Sequence, residues 1–399
     1  MKMSDAQFMH LALRLARRGY GTTSPNPMVG AVLVKGGKII GRGWHRRAGR
    51  PHAEIEALCD AQKRGHNPKG ATFYVTLEPC CTHGRTPPCT EAIKAAGIKR
   101  VVVGAVDPNP QHAGKGFKVL QRNGIAVTRW GERPREPRRG SSAASPHQKS
   151  ADECAKLNEA FNHWIVHRTP FVTVKAAMTL DGKIATARGE SKWITGEKAR
   201  AYGMKLRQGA DAILVGINTI LADDPALTVR TRREGGGKMA KAIRRIVLDS
   251  MARTPLNARV VSDDYAAFTT IVASKRAPKK RVAALARRVK VLIAPTKKPG
   301  SRITHHASRI NLRWLLKKLG TEKVTSLLVE GGGEINASFL LGGRAQRVTF
   351  FYAPKILGGR DSRTGVAGDG VRRLSGVIPL REVEWRQLGA DLLLTARVD

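Results

Sequence analysis

The residues best suited to chemistry stand close together in the first quarter of the chain. His52-Ala53-Glu54 opens a helical pattern, Pro79-Cys80 follows a β-rich run, and Cys89 opens another helical pattern. One imidazole and two thiolates bind zinc and leave its fourth tetrahedral position open, the arrangement of a catalytic rather than a structural site. Water bound there has its pKa lowered toward ~7, and a carboxylate that is not a ligand can carry its proton. His52, Cys80 and Cys89 are therefore the expected metal ligands and Glu54 the proton shuttle. Cys81 is the alternative ligand. Cys80 is preferred because it follows the strand directly, and Cys89 because a helix N-terminus favours a thiolate. Cys59 and Cys154 read as packing residues.

A second constellation lies far downstream. No G-x-G-x-x-G follows a strand and opens a helix in the second half, which disfavours a doubly wound dehydrogenase. What stands there is Leu328-Val329-Glu330-Gly331-Gly332-Gly333-Glu334-Ile335-Asn336, a strand running into a glycine turn and then a helix. Backbone amides at such a helix start can approach a pyrophosphate closely.

H-x-E followed by P-C and a second cysteine is the order found in nucleobase and nucleoside deaminases, although their usual C-x-x-C is here widened to a loop from Cys80 to Cys89. Pro25-Asn26-Pro27-Met28-Val29-Gly30, Gly41-Arg42-Gly43-Trp44-His45, His52-Ala53-Glu54, Glu78-Pro79-Cys80 and His83-Gly84-Arg85-Thr86-Pro87-Pro88-Cys89 closely resemble the bifunctional pyrimidine deaminase/uracil reductase family of riboflavin biosynthesis. The long loop is the normal form in that family. Downstream, Lys175 to Lys183, Gly189 to Thr195, Gly216-Ile217-Asn218-Thr219, Asp223 to Thr228 and Ala353 to Gly359 resemble its reductase half in order and spacing. The likeness spans the chain apart from 131–150 and 232–241.

The resemblance implies an α/β chain with an N-terminal cytidine-deaminase-like domain followed by a dihydrofolate-reductase-like domain. It implies a zinc-dependent hydrolase that converts 2,5-diamino-6-(5-phosphoribosylamino)pyrimidin-4-one to the corresponding uracil, and an NADPH-dependent oxidoreductase that then reduces the ribosyl to a ribityl chain. Zn2+ and NADPH are the implied cofactors and a small phosphoribosyl pyrimidine the implied partner. Asn26, His83 and Arg85 are expected substrate contacts in the first domain, since an amide can read a ring edge and a guanidinium can pair with phosphate. Carried over by position, Ala177, Trp193, Thr219, Asp223, Gly332, Gly333, Glu334, Ile335, Asn336, Ala337 and Ser338 contact NADPH. Ser191, Arg207, Leu227, Arg230 and Glu330 contact substrate. Lys175 and Glu330 are expected to polarise or protonate the opening ribose, and Arg207 and Arg230 to hold the 5′-phosphate.

The elements that must position these residues follow from pattern and composition. A chain of 399 residues suits two or more domains at ~100–200 residues each. Hydrophobic residues at 41% and charged residues at 26% exclude wholesale disorder. Apolar runs fall far short of the ~20 residues a bilayer requires, and the amphipathic start lacks a signal-peptide core, so the cytoplasm is expected. Lysine and arginine number 71 against 31 acidic residues, a net +40 that attracts anions. The excess runs along the whole chain, and aromatics at 5% are too sparse for base-stacking platforms, so neither a nucleic-acid-binding protein on an inactive deaminase fold nor a tRNA deaminase is favoured. No specific nucleic acid and no membrane partner is expected; a homo-oligomer is left open.

Residues 1–130 read as alternating helices and strands. Ser4 caps a helix, 28–34 and 38–44 form a hairpin about Gly36-Gly37, and strands at 72–76 and 100–106 alternate with helices from His52, Pro88 and Lys115. Residues 131–150, rich in breakers and like charge, read as a flexible basic linker. Residues 151–399 form the reductase domain, opening with one helix from Asp152 through Ile165.

Overall fold

The computed structural model describes residues 3–83, 87–131, 146–232, 238–241, 243–295 and 310–398. Two compact units divide at Arg168/Thr169.

The first unit opens with α1 (Asp5–Ala16), whose Ser4 and Gln7 cap one another reciprocally and so satisfy two donors the helix start would leave orphaned. A hairpin follows, β1 (Gly30–Lys35) and β2 (Lys38–Trp44), turning at Gly36 and Gly37, both at positive φ. Then come α2 (Ala53–Lys63), β3 (Thr72–Val75), α3 (Cys89–Ala95), β4 (Arg100–Val103), α4 (Lys115–Arg122), β5 (Ala126–Arg129), α5 (Pro146–Leu157) and α6 (Glu159–His167). The sheet order is β2-β1-β3-β4-β5, with β1 antiparallel to β2 and β3 and the remaining pairs parallel. Successive strand residues point to opposite faces. Leu33, Phe73, Val75 and Val101 pack under α2, α3 and α4, while Val32, Tyr74 and Val102 pack with α1 and Cys154.

Three expectations change here. The helix beginning at Asp152 is two helices parted at Asn158, and both belong to the first unit rather than to the reductase half. The reason is tertiary. Asn158 is 4% exposed; its Oδ1 accepts from the Met28 N–H at 2.8 Å and its Nδ2 donates to the Met28 carbonyl at 2.9 Å. Gly104 leaves the space that the Cys154 sulfur occupies. Of the expected linker, only Gly131 and the first turns of α5 are described. Cys59, expected to pack, is exposed.

The second unit runs β6 (Phe171–Thr179), β7 (Lys183–Ala185), α7 (Glu197–Gly209), β8 (Ala212–Gly216), α8 (Ile217–Asp223), β9 (Val229–Arg232), β10 (Lys238–Lys241), β11 (Arg244–Leu248), α9 (Arg259–Ser262), β12 (Thr269–Ser274), α10 (Lys279–Ala286), β13 (Lys290–Ala294), α11 (Leu312–Thr321), β14 (Ser326–Val329), α12 (Gly333–Leu340), β15 (Arg347–Ala353), β16 (Arg363–Thr364), β17 (Leu380–Leu388) and β18 (Asp391–Val398). Among the described residues the main sheet has nine strands in the order β13-β12-β11-β8-β14-β6-β15-β18-β17. The run from β13 to β15 is parallel, and β18 and β17 join antiparallel at one edge. Both faces of the parallel run are covered, by α11 and α12 on one side and α8 to α10 on the other, which is why these strands read as nearly continuous apolar runs.

A fragment ending at residue 130 exposes the surface that α5 and α6 cover and leaves both backbone groups of Met28 unpaired. Urea titration should find it at least about 2 kcal/mol less stable than a fragment ending at Arg168, at about 1 kcal/mol for each lost hydrogen bond. Equal stabilities would show that α5 and α6 contribute nothing to this unit.

Candidate functional sites

In the first unit the chemistry gathers beyond the carboxyl end of β3. His52 is the N-cap of α2, Cys89 is the first residue of α3, and Cys80 lies on the segment between β3 and α3. His52 Nδ1 is 3.6 Å from Cys80 Sγ and 3.3 Å from Cys89 Sγ. The ligand atoms of all three residues lie within 4.8 Å of one another. The Cys89 N–H donates to Cys80 Sγ at 3.3 Å. The Cys89 thiol leads in holding Cys80 down to about 4, with His52 assisting, against the effect of burial. The Cys80 thiolate, with burial, in turn drives Cys89 upward. A dication is the natural replacement for the proton this thiol pair retains, because zinc binds thiolates and releases their protons.

Glu54, the second residue of α2, is 3% exposed. Burial first, and then the Cys80 charge, pushes its carboxyl up to about 7, and its Oε2 has no hydrogen-bond partner among the described residues. An orphaned, easily protonated oxygen beside an imidazole and two sulfurs fits a bound metal with one open position. Behind His52 stands His45, 2% exposed, its ring edge-on to His52 at 5.4 Å. Its Nδ1 donates to the Pro51 carbonyl at 3.0 Å, which leaves Nε2 to accept from Asn26 Nδ2 at 3.2 Å. Burial lowers the pKa of His45, in keeping with that neutral tautomer.

In the second unit a cavity of about 290 Å³ is lined by Lys175, Ala177, Trp193, Arg207, Arg230 and Glu330, among others. A larger cleft of about 1450 Å³ adjoins it and shares Glu330. Glu330 follows β14 and is held by two cations. Arg207 donates to both its oxygens, at 2.8 and 2.9 Å, and Lys175 Nζ is 3.8 Å away. Burial works to raise this carboxyl, but the Arg207 and Lys175 charges outweigh it and hold Glu330 down to about 2.

Comparison with known proteins decides what these two sites belong to. Residues 2–105 match the cytidine and deoxycytidylate deaminase zinc-binding region, and residues 170–394 match the RibD C-terminal domain. The riboflavin biosynthesis protein RibD of Aquifex aeolicus is 41% identical, with 98% of this chain and 97% of that protein covered. That of Actinobacillus pleuropneumoniae is 39% identical over 98% and 95%. The chain belongs to the RibD family. It is a bifunctional deaminase and reductase of riboflavin biosynthesis. Among solved structures, Acinetobacter baumannii RibD superposes with a TM-score of 0.79 at 32% identity, covering 99% of both chains. A diaminohydroxyphosphoribosylaminopyrimidine deaminase/5-amino-6-(5-phosphoribosylamino)uracil reductase from Thermotoga maritima gives 0.76 at 32%, covering 99% of this chain and 98% of that one.

Set against this RibD framework, the structure brings His52, Glu54, Cys80 and Cys89 together. It turns Cys81 elsewhere, its sulfur 3.8 Å from His112 Nδ1. Asn26 reaches the site through His45, His83 is exposed on the segment between the cysteines, and Arg85 lies outside the described residues. Of the expected reductase contacts, Ser191, Thr219, Asp223, Gly332, Gly333, Glu334 and Ile335 line the larger cleft. Ala177 and Trp193 lie in the smaller cavity instead. Asn336, Ala337 and Ser338 are buried within α12, and Leu227 is a core residue 3% exposed.

One role is revised. A carboxyl held at about 2 is ionised at neutral pH, so Glu330 cannot supply the proton expected of it. Arg207 gives its Nε and one Nη2 hydrogen to Glu330 and one Nη1 hydrogen to the Thr228 carbonyl, and it lines the smaller cavity. The sequence pattern assigns no role to His45; its signal is the histidine closing Gly41-Arg42-Gly43-Trp44-His45.

Removing the Glu330 charge takes the shared partner from two half-buried cations, so Glu330→Gln should destabilise the chain by about 1–3 kcal/mol at neutral pH. Because its carboxyl is depressed to about 2, the stabilisation is complete above the unfolded value of about 4.5 and is lost as pH falls toward 2. Melting curves of wild type and variant should therefore converge with acid below about pH 4.5. A gap that is constant down to pH 3 would mean the carboxyl is not held ionised.

Proposed function

We propose that the first unit hydrolyses the 2-amino group of 2,5-diamino-6-(5-phosphoribosylamino)pyrimidin-4-one and that the second reduces the resulting phosphoribosylaminouracil with NADPH. The observation carrying the first half is the buried, partnerless Glu54 oxygen beside His52, Cys80 and Cys89. These three residues would hold zinc, which when bound lowers the pKa of water toward ~7. Glu54 takes a proton from the water as its oxygen bonds to C2 and the C2=N1 double bond opens, and gives that proton to N1; it then takes the new hydroxyl's proton and passes it to the 2-amino group as the C2–N bond breaks, so that ammonia leaves and a carbonyl remains. A carboxyl poised near neutrality suits both transfers. Asn26 is held at the site by His45 and offers its amide oxygen to a ring edge.

In the second unit the glycine turn before α12 would take the pyrophosphate, and NADPH when bound supplies hydride. Opening the ribose breaks its C1′–O4′ bond. Lys175, positioned by Glu330, donates a proton to O4′, and C1′, now doubly bonded to nitrogen, is left to accept the hydride. Arg230, exposed where it lines the cavity, is placed to pair with the 5′-phosphate.

Incubating the full chain with the diaminopyrimidine ribotide should give the uracil by mass analysis without NADPH and the ribityl product with it. Cys80→Ser and Cys89→Ser should each lose zinc and deamination, Cys81→Ser should keep both, and Glu54→Gln should keep zinc but lose at least ~10²-fold in rate. An active Glu54→Gln protein, or metal loss in Cys81→Ser alone, would overturn the assignment.

A further inference from the structure

A charge that the chemistry above does not use lies in the core of the second unit. Arg245, the second residue of β11, is 0% exposed, and arginine is almost never fully buried unless it is paired. All five of its N–H hydrogens are taken. Nε donates to Thr269 Oγ1 at 2.8 Å, and Nη2 donates to Asp263 Oδ1 at 2.7 Å and to the Val260 carbonyl at 3.1 Å. Nη1 donates to Asp263 Oδ2 at 2.7 Å and to the Ala226 carbonyl at 2.9 Å. Four of these bonds stay within α9, the residue after it and the start of β12. The fifth, to Ala226, reaches the segment between α8 and β9.

That segment has a constrained backbone. Asp224 stands at φ 38° and Leu227 at φ 51°, in the left-handed region that residues other than glycine avoid. Leu227 does so while burying its side chain in the core, 3% exposed. Such residues persist where their surroundings over-determine them, and they gather at functional sites. The two ends of the segment are held separately. Asp224 is fixed from α9, its Oδ1 accepting from the Arg259 N–H at 2.9 Å. On either side of Leu227, the Ala226 carbonyl accepts from Arg245 in the core and the Thr228 carbonyl accepts from Arg207 in the smaller cavity at 3.3 Å. Two residues past Thr228, Arg230 is exposed in β9 and lines that cavity.

We propose that Arg245 is a positioning residue for ribotide binding: from within the core it locks the turn at Leu227, and that turn sets where Arg230 stands at the smaller cavity. The inference rests on the reductase reading above, in which Arg230 pairs with the 5′-phosphate. The arrangement requires arginine rather than lysine. The bidentate pair with Asp263 fixes the plane of the guanidinium, and Asp263 is itself steadied by the Tyr265 N–H, which donates to its Oδ1 at 3.1 Å. With the plane fixed, the second hydrogen of Nη1 is aimed at Ala226 while Nε is aimed at Thr269. An ammonium carries three donors on one nitrogen and cannot serve acceptors on different sides of a planar fork. Lysine at 245 would keep a charge beside Asp263 and release the Ala226 carbonyl.

The test is a double-mutant cycle on the full chain, following NADPH oxidation with the phosphoribosylaminouracil. Arg245→Lys should raise KM at least about tenfold, the range for a charge-assisted hydrogen bond, with kcat within about threefold. In an Arg230→Ala background the same substitution should lower kcat/KM by less than about twofold, because its effect passes through Arg230. Asp211→Asn controls for lost stability alone. Asp211 ties the amino ends of β8 and β14, its Oδ2 accepting from the Thr325 N–H and hydroxyl, each at 2.7 Å, and its variant should melt earlier with KM unchanged. If melting curves show that Arg245→Lys does not fold, Asp263→Asn, which leaves Arg245 in place but removes the carboxylate that aims it, is carried through the same cycle with a KM shift of about threefold expected. An unchanged KM in the folded variant overturns the proposal. So does a loss that is as large in the Arg230→Ala background as in wild type, which would mean that Arg245 supports the fold without setting Arg230. Wild type that oxidises no NADPH with this substrate would instead overturn the reductase reading, and an unchanged KM in Arg230→Ala would overturn the phosphate contact within it.

Discussion

The close approach of α2 to β2 governs where the deamination chemistry stands. A Cβ on Gly43 would meet the backbone of Ala53 and Ala57, and one on Gly41 would meet the Ala57 carbonyl. Two bare backbone positions thus let the helix lie almost directly on the strand. That contact sets the height of the first turn of α2, and with it His52 and Glu54 relative to Cys80 and Cys89. Glu78 performs the matching task on the cysteine side. Its carboxylate accepts from the backbone N–H groups of Asp107, Gly114 and Gly116, tying the segment after β3 to the loop that follows β4 and to the first turn of α4. Packing and backbone hydrogen bonds thus help bring into register ligands drawn from three chain segments.

The second unit reaches its chemistry by charge rather than by close packing. A buried carboxylate is costly unless it is paired and hydrogen-bonded, and Glu330 meets both conditions through Arg207 and Lys175. Ionised at neutral pH, it serves as an anchor that fixes where two cations stand in the smaller cavity. Glu54 is the opposite case. It is more deeply buried, no lysine or arginine pairs with it among the described residues, and its carboxyl is pushed up to about 7. Two buried glutamates in one chain thus take different roles because of what surrounds them.

Short-range order made much of this legible. The N-cap at Ser4, the glycine pair of the first hairpin and the order of His52, Glu54, Cys80 and Cys89 are local patterns, and each stands where the spacing placed it. Long-range partners were not legible. Periodicity from Asp152 to Ile165 reads as one helix, and nothing nearby shows that Asn158 is held by Met28. Glu330 reads as an acid until Arg207, 123 residues away, is found on its carboxylate. β17 is an exposed edge strand in which Arg381, Glu382, Glu384 and Arg386 leave no apolar run to read. The inward turn of Asp249, whose Oδ2 accepts from Thr254, likewise exists only in three dimensions.

The account stands most directly on the claim that α2 delivers one nitrogen ligand to a pair of sulfurs and leaves a fourth position open. X-ray absorption at the zinc edge of the purified full chain tests this directly. The prediction is two sulfur scatterers at about 2.3 Å, with one nitrogen from imidazole and one light oxygen scatterer at about 2.0 Å. A shell of three or four sulfurs would contradict it, because a third thiolate would close the position that water must occupy.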